Sequence, residues 1–185
     1  MDDEAIISYA KSELERIENT YGGPAYRCAA VLNDGVQLPC VLLASAEAVT
    51  ELALRRFEET RADTALSKSK RRFSEGMQYR DIVKSFVTSG NCVNSYDIDR
   101  LEKSPFAIPL ARFKEIKSET SMSWTQFTAI MKDGREFAFG TTYLTEFFHM
   151  PDGYVGDDIV KIIPHKAETA VLRERPFFTC HVSGL

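Results

Sequence analysis

Apolar residues Ile6, Ile7, Ala10, Leu14 and Ile17 recur at helical spacing and predict an amphipathic helix over residues 3–20. Asp2, Asp3 and Glu4 sit where a helix N-terminus favours negative charge, and Gly22, Gly23 and Pro24 stop the helix. Two stretches further on share a pattern: "AVLNDGVQL" begins at Ala30 and "AIMKDGREF" at Ala129. Each sets Asp-Gly between strand-like runs, and glycine takes the positive φ that tight hairpin turns demand. The first copy predicts strands over 26–32 and 36–44 around Asn33, Asp34 and Gly35. Pro39 puts the return strand at a sheet edge or on a bulge. In the second copy, a two-residue Asp133-Gly134 loop would set Ile130 opposite Phe137, Thr128 opposite Phe139 and Trp124 opposite Tyr143.

Between the hairpins, Val49, Leu52, Ala53 and Phe57 share a helical face behind Ser45, an N-cap residue, and predict a helix to about Thr60. Residues 61–75 lose the apolar period and read as an exposed charged connection. Ile82, Val83, Phe86 and Val87 predict a further helix over 77–89, ended by Gly90. A helical turn follows Ser95 and stops at Ser104 and Pro105, while "DIVKIIPH" and "PFFTCHV" read as short strands. Together these elements describe an α+β fold. It is a single domain with a mostly antiparallel sheet built around two β-hairpins and about three packed helices.

Composition narrows the setting. With 44% hydrophobic and 11% aromatic residues the chain has the side chains for a sizeable core. No apolar run approaches the ~20 residues of a membrane helix. "MDDEAII" is acidic where a secretory signal is basic and then apolar, so the expected location is the cytoplasm, away from membrane. The net charge of −4 disfavours a surface that tracks nucleic acid throughout. Residues 61–80 nevertheless hold six bases against two acids. There Lys68, Lys70, Arg71 and Arg72, beside Phe73 and Tyr79, are candidate nucleic-acid contacts. A solvated linker is the commoner meaning of such a run.

Three other groups carry candidate chemistry. Cys28, Cys40, Cys92 and Cys180 lack the close pairing of zinc ligands and read as reduced core thiols. His181 follows Cys180, but adjacent strand residues face opposite ways. Glu115-Ile116-Lys117, with Asp97 and Asp99 upstream, resembles the pattern of the PD-(D/E)xK nucleases. That resemblance implies carboxylates holding a divalent metal and a lysine positioning water. His149, Asp152, Asp157, Asp158 and His165 offer oxygen and imidazole ligands in a turn-rich stretch, as an alternative metal reading. Their spacing matches no calcium loop, and Asp152 beside Gly153 reads as a turn former.

The overall expectation is a non-enzymatic cytosolic binding protein without a cofactor. It would act through a protein partner, as an immunity-type inhibitor does on a basic toxin, steered by acidic surface and anchored by aromatic side chains. The alternatives are a metal-dependent nuclease using Asp97 or Asp99, Glu115 and Lys117, and a regulatory subunit touching nucleic acid through Lys68, Lys70, Arg71 and Arg72.

Overall fold

The computed structural model describes residues 1–18, 23–66, 91–116, 124–142, 146–164 and 171–185. Helix α1 (Asp3–Glu13) starts on Asp2, whose carboxylate accepts the Ala5 N–H at 2.8 Å, and it buries Ile6 and Ala10. It ends at Leu14, whose backbone is extended, and not near Thr20. Arg16–Glu18 instead form strand β1, antiparallel to β2 (Pro24–Leu32), with Ile17 opposite Ala25. Strand pairing outweighs one more turn of helical periodicity there. Ile17 packs with Ala25, Cys40, Leu42 and Phe147, on the face of β2 opposite to the one that meets α1.

β2 returns through the first turn into β3 (Gln37–Ser45). Cys28 pairs with Val41 but Ala30 with Leu38, so β3 has one extra residue around Pro39. β3 is an internal strand, yet its other partner, β10 (Phe178–Val182), pairs in parallel only from Val41 onward. The bulge and the end of that pairing together free Pro39 from donating an N–H. Helix α2 (Ala46–Leu66) follows, capped by the Ser45 hydroxyl, which accepts the Ala48 N–H at 3.2 Å. α2 runs on through residues 61–66, into the stretch expected to be an exposed connection. Arg61, Ala62, Ala65 and Leu66 are good helix formers, and losing an apolar face does not by itself end a helix. Residues 67–75 and the helix expected over 77–89 lie outside the described residues.

The helical turn after Ser95 is the single 3-10 turn η1 (Ser95–Asp97), and the chain then enters β5 (Ile98–Glu102) instead of coiling on to Ser104. The first sheet runs β1-β2-β3-β10-β4, with β4 at Cys92–Val93 and β5 also paired to β2. A second sheet runs β8-β6-β7-β9, from β6 (Thr125–Met131), β7 (Glu136–Thr141), β8 (Ile159–Pro164) and β9 (Leu172–Arg173). The expected single sheet is thus two among the described residues, and β3–β10, β4–β10 and β7–β9 are parallel pairs. Short helix α3 (Leu110–Phe113) and 3-10 turn η2 (Gly156–Asp158) flank the second sheet.

The second hairpin differs by one residue from its expected register. Ala129 faces Phe137 and Phe127 faces Phe139, because the loop holds three residues, Lys132, Asp133 and Gly134. A one-residue slip moves side chains to the other face. Phe139 therefore stacks on Phe127 in one core, centroids 5.4 Å apart, with Phe148 edge-on to both at 5.4 and 5.8 Å. Tyr143 lies outside the described residues. On the side of β8 away from β6, the Ile162 N–H donates to Glu115 Oε2 at 2.8 Å, and Pro164 has no N–H to offer. No helix of the described residues is long and apolar enough to cross a membrane.

Candidate functional site

The two Asp-Gly turns are built alike. Gly35 and Gly134 take φ of +87° and +85°. Leu32 N–H donates to Val36 O and Met131 N–H to Arg135 O, both at 2.9 Å. Each aspartate accepts the N–H two residues on at 3.0 Å, Asp34 from Val36 and Asp133 from Arg135. These are three-residue loops closed by a left-handed glycine, and both aspartates work as turn formers.

The likeness extends beyond the turns. Asn33 N–H donates to Asp97 O at 2.9 Å, and Lys132 N–H donates to Asp158 O at 2.8 Å. Asp97 ends η1 and Asp158 ends η2; each turn leads into a strand antiparallel to the first hairpin strand, β5 on β2 and β8 on β6. Even the irregularities coincide: Val31–Arg100 steps to Leu32–Ile98, as Ile130–Lys161 steps to Met131–Ile159. The second hairpin strand of each unit then takes a parallel neighbour, β10 on β3 and β9 on β7. One four-strand unit is built twice, and the repeated Asp-Gly pattern is its most legible part.

This repetition places most of the sequence candidates. Asp97 and Asp158 each close a 3-10 turn: Asp97 Oδ2 accepts from the Asn94 side chain at 3.1 Å and Asp158 Oδ2 from Val155 N–H at 3.0 Å. Lys132 pairs with Asp158 at 3.2 Å, and these bonds hold the partly exposed Asp158 carboxyl below its usual pKa, the Val155 N–H first among them. Asp99 lies on β5 beside Arg100 at 3.7 Å. Glu115 belongs to the other sheet's surroundings: a helical turn from α3 carries it, and it joins Arg112 to the Ile162 N–H. Its strand-like presentation is not seen as far as Ile116, and Lys117 lies outside the described residues. His149 Nδ1 lies 3.4 Å from Arg175, and Asp152 stands in the turn before Gly153, whose φ is +82°. Asp157 borders a cavity described below, and His165 lies outside the described residues, as do Lys68, Lys70, Arg71 and Arg72. Among the described residues, no three His, Cys, Asp or Glu side chains form a group that could hold a metal ion.

Cys28, Cys40 and Cys180 are buried, and Cys92 is partly exposed. Burial pushes the Cys180 thiol up to about 12 and, against the pull of Arg175 and Ser104, Cys40 up to about 11; Cys28 is raised as well. Burial also pushes the half-buried His181 downward. A thiolate–imidazolium pair needs the opposite shifts. Ellman's reagent at neutral pH should therefore label Cys92 first and the other three only in denaturant. Unfolded thiols ionise near 9.0 while the folded ones stay protonated. Above that value the unfolded chain binds fewer protons, so stability, complete below it, should fall as pH rises through 9 towards about 11–12, where the Cys40 and Cys180 contributions are used up. A urea midpoint that stays level across this range would contradict the burial of these thiols.

Sequence reasoning passed over Arg27, the one charge in "PAYRCAAVL". That lone charge within an apolar run was the available signal. Arg27 is only 6% exposed, and its counterpart on β6, Gln126, is 1% exposed. The Gln126 carbonyl accepts from the Trp124 indole at 3.0 Å. Arg27 is held less well. One terminal nitrogen reaches Glu146 O at 3.4 Å, and another lies 3.7 Å from Glu15 Oε2. The Glu15 carboxylate takes its short bond from Leu110 N–H instead, at 2.6 Å. Arg27 Nε has no hydrogen-bond partner among the described residues. Burial lowers the arginine's pKa, with Glu15 and Glu146 pulling the other way.

No family model matches the chain, and neither a curated protein nor a solved structure matches it.

Proposed function

We propose that this is a non-enzymatic, cytosolic binding protein, and that the turn end of its first unit engages a basic protein surface. One observation carries the reading. At the two positions where the second unit has Arg135 and Asp157, the first has Val36 and Tyr96, exposed to 48% and 71%. The turn geometry is the same in both units, so folding does not require apolar residues there. Tyr96 O accepts from the Asn33 side chain at 3.0 Å, so an exposed tyrosine and an exposed valine stand at the same turn end, and tyrosine is among the residues most enriched at binding hot spots.

The charge around the patch sets the kind of partner. Asp34 lies in the turn and Asp97 and Asp99 follow Tyr96, while α1, with Asp2, Asp3 and Glu4 at its start, packs against η1. An acidic rim around an aromatic anchor attracts a basic surface and speeds encounter at low salt. An inhibitor of the immunity-protein type, masking a basic toxin, is the form of this function that such a surface serves.

Tyr96→Ala should weaken partner binding by about 2 kcal/mol, roughly thirtyfold. Its folding stability should stay within about 0.5 kcal/mol of wild type. The experiment compares wild type with Tyr96→Ala and Val36→Asp as baits in native host extract at low and high salt. Basic proteins held by wild type, released by salt and lost from both variants support the proposal. Equal retention by all three baits would sink it.

A further inference from the structure

We infer that the cleft beside Arg27 is a binding site for a small organic anion, a carboxylate or phosphate monoester carried on a flat apolar body. The inference is independent of the partner surface, which lies at the turn end of the first unit. Among the described residues, Arg27 borders a cavity of about 160 Å³ and another of about 490 Å³. The smaller is also bordered by Glu13, Glu15 and Asp157, which disfavour an anion there. The larger has the size of an ordinary ligand pocket. Its charged lining is Arg16, Arg27 and Lys114 against Glu18 and Glu146, and Glu18 is paired to Arg16 at 3.0 Å.

The chemistry follows from what the arginine lacks. A guanidinium has five N–H donors in a flat fork that suits two oxygens of one anion. Here the fork is buried, one nitrogen has no partner among the described residues, and the other contacts are 3.4 and 3.7 Å long. A buried charge without short hydrogen bonds is costly, and an oxyanion bound at the terminal nitrogens would replace their two long contacts with short ones. The rest of the cavity suits the remainder of such a molecule. Ile17, Leu110 and Phe113 form an apolar wall, and the guanidinium carbon lies 5.6 Å from the Phe113 ring centroid. Lys114, exposed at the rim, adds a second positive charge without being needed for the core.

The experiment titrates the intact chain with benzoate, phenyl phosphate and inorganic phosphate, up to about 10 mM. Binding is followed through the Arg27 Nε–H and Phe113 ring signals by NMR. Saturable shifts of both signals with benzoate or phenyl phosphate are expected, the tighter of the two naming the headgroup. Inorganic phosphate should bind at least about tenfold more weakly, since it leaves the apolar wall uncovered. Arg27→Met should abolish the response. Because that variant touches a buried position, Lys114→Ala serves beside it: its melting should be unchanged and its affinity about fivefold lower. No saturable shift with any probe, or equal affinity in Lys114→Ala and wild type, would overturn the proposal.

Discussion

Replacing Gly156 by alanine should destabilise the protein by about 3 kcal/mol or more, the largest cost expected from adding one methyl group. A Cβ at that position would stand 1.9 Å from Ala107 O and 2.7 Å from Ala107 C. Both are main-chain atoms, with no flexible side-chain end to swing away. Gly156 N–H donates to Pro105 O at 2.7 Å, so the two segments are hydrogen-bonded where they touch. The backbone at Gly156 is not in the left-handed region, so the cost is one of space alone. Gly35 makes the control. Its φ is +87° and nothing lies within 4 Å of an added Cβ, so Gly35→Ala should cost only the conformational penalty, about 1–2 kcal/mol. Urea unfolding of both variants separates the two causes. A Gly156→Ala protein no weaker than Gly35→Ala would mean that the segments do not approach so closely.

The second large effect concerns the neighbours Phe147 and Phe148, both fully buried. Successive in the chain, they enter different clusters. Phe147 packs with Ala25, Cys40 and Leu42 against the first sheet, while Phe148 joins Phe127 and Phe139 in the core of the second. Around them, Phe148 N–H donates to Phe106 O at 3.0 Å and Arg175 N–H to Phe147 O at 2.8 Å. Phe147→Ala and Phe148→Ala should each cost about 3–5 kcal/mol, as large core truncations do. Adjacent anchors in two cores should also make the sheets unfold together. Trp124, the chain's only tryptophan, lies over Gly140 of the second sheet and reports on it by fluorescence. Phe147→Ala, on the first sheet, should lower the fluorescence and circular dichroism midpoints equally. A fluorescence midpoint left at the wild-type value would show that the sheets unfold separately.

Local pattern carried much of this architecture and failed where distant partners decide. The apolar stripe of α1, the Ser45 cap and both Asp-Gly turns are properties of neighbouring residues, and they are present. Ile17 fitted the helical stripe because a periodic pattern has no knowledge of β2 waiting to pair. The second hairpin's register turned on whether Lys132 belongs to the loop, and one residue there exchanges faces along the whole strand. The parallel strands β9 and β10 join their sheets from the far end of the chain, beyond the reach of any window. At the candidate sites, Arg27 left a trace as a charge among apolar residues. Tyr96 left none, since its significance comes from Asp157 occupying the same place in the other unit, and only folding brings that comparison into view.

The guarded flank of β8 has a consequence for how copies of the molecule meet. Val160 and Ile163 make it the greasiest rim of the second sheet, a place where like strands could zip into ribbons. The Glu115 carboxylate already occupies one rung of that ladder, and Pro164 removes another. A newcomer strand would find those two rungs missing, which weighs against fusion along this oily border in a crowded solution.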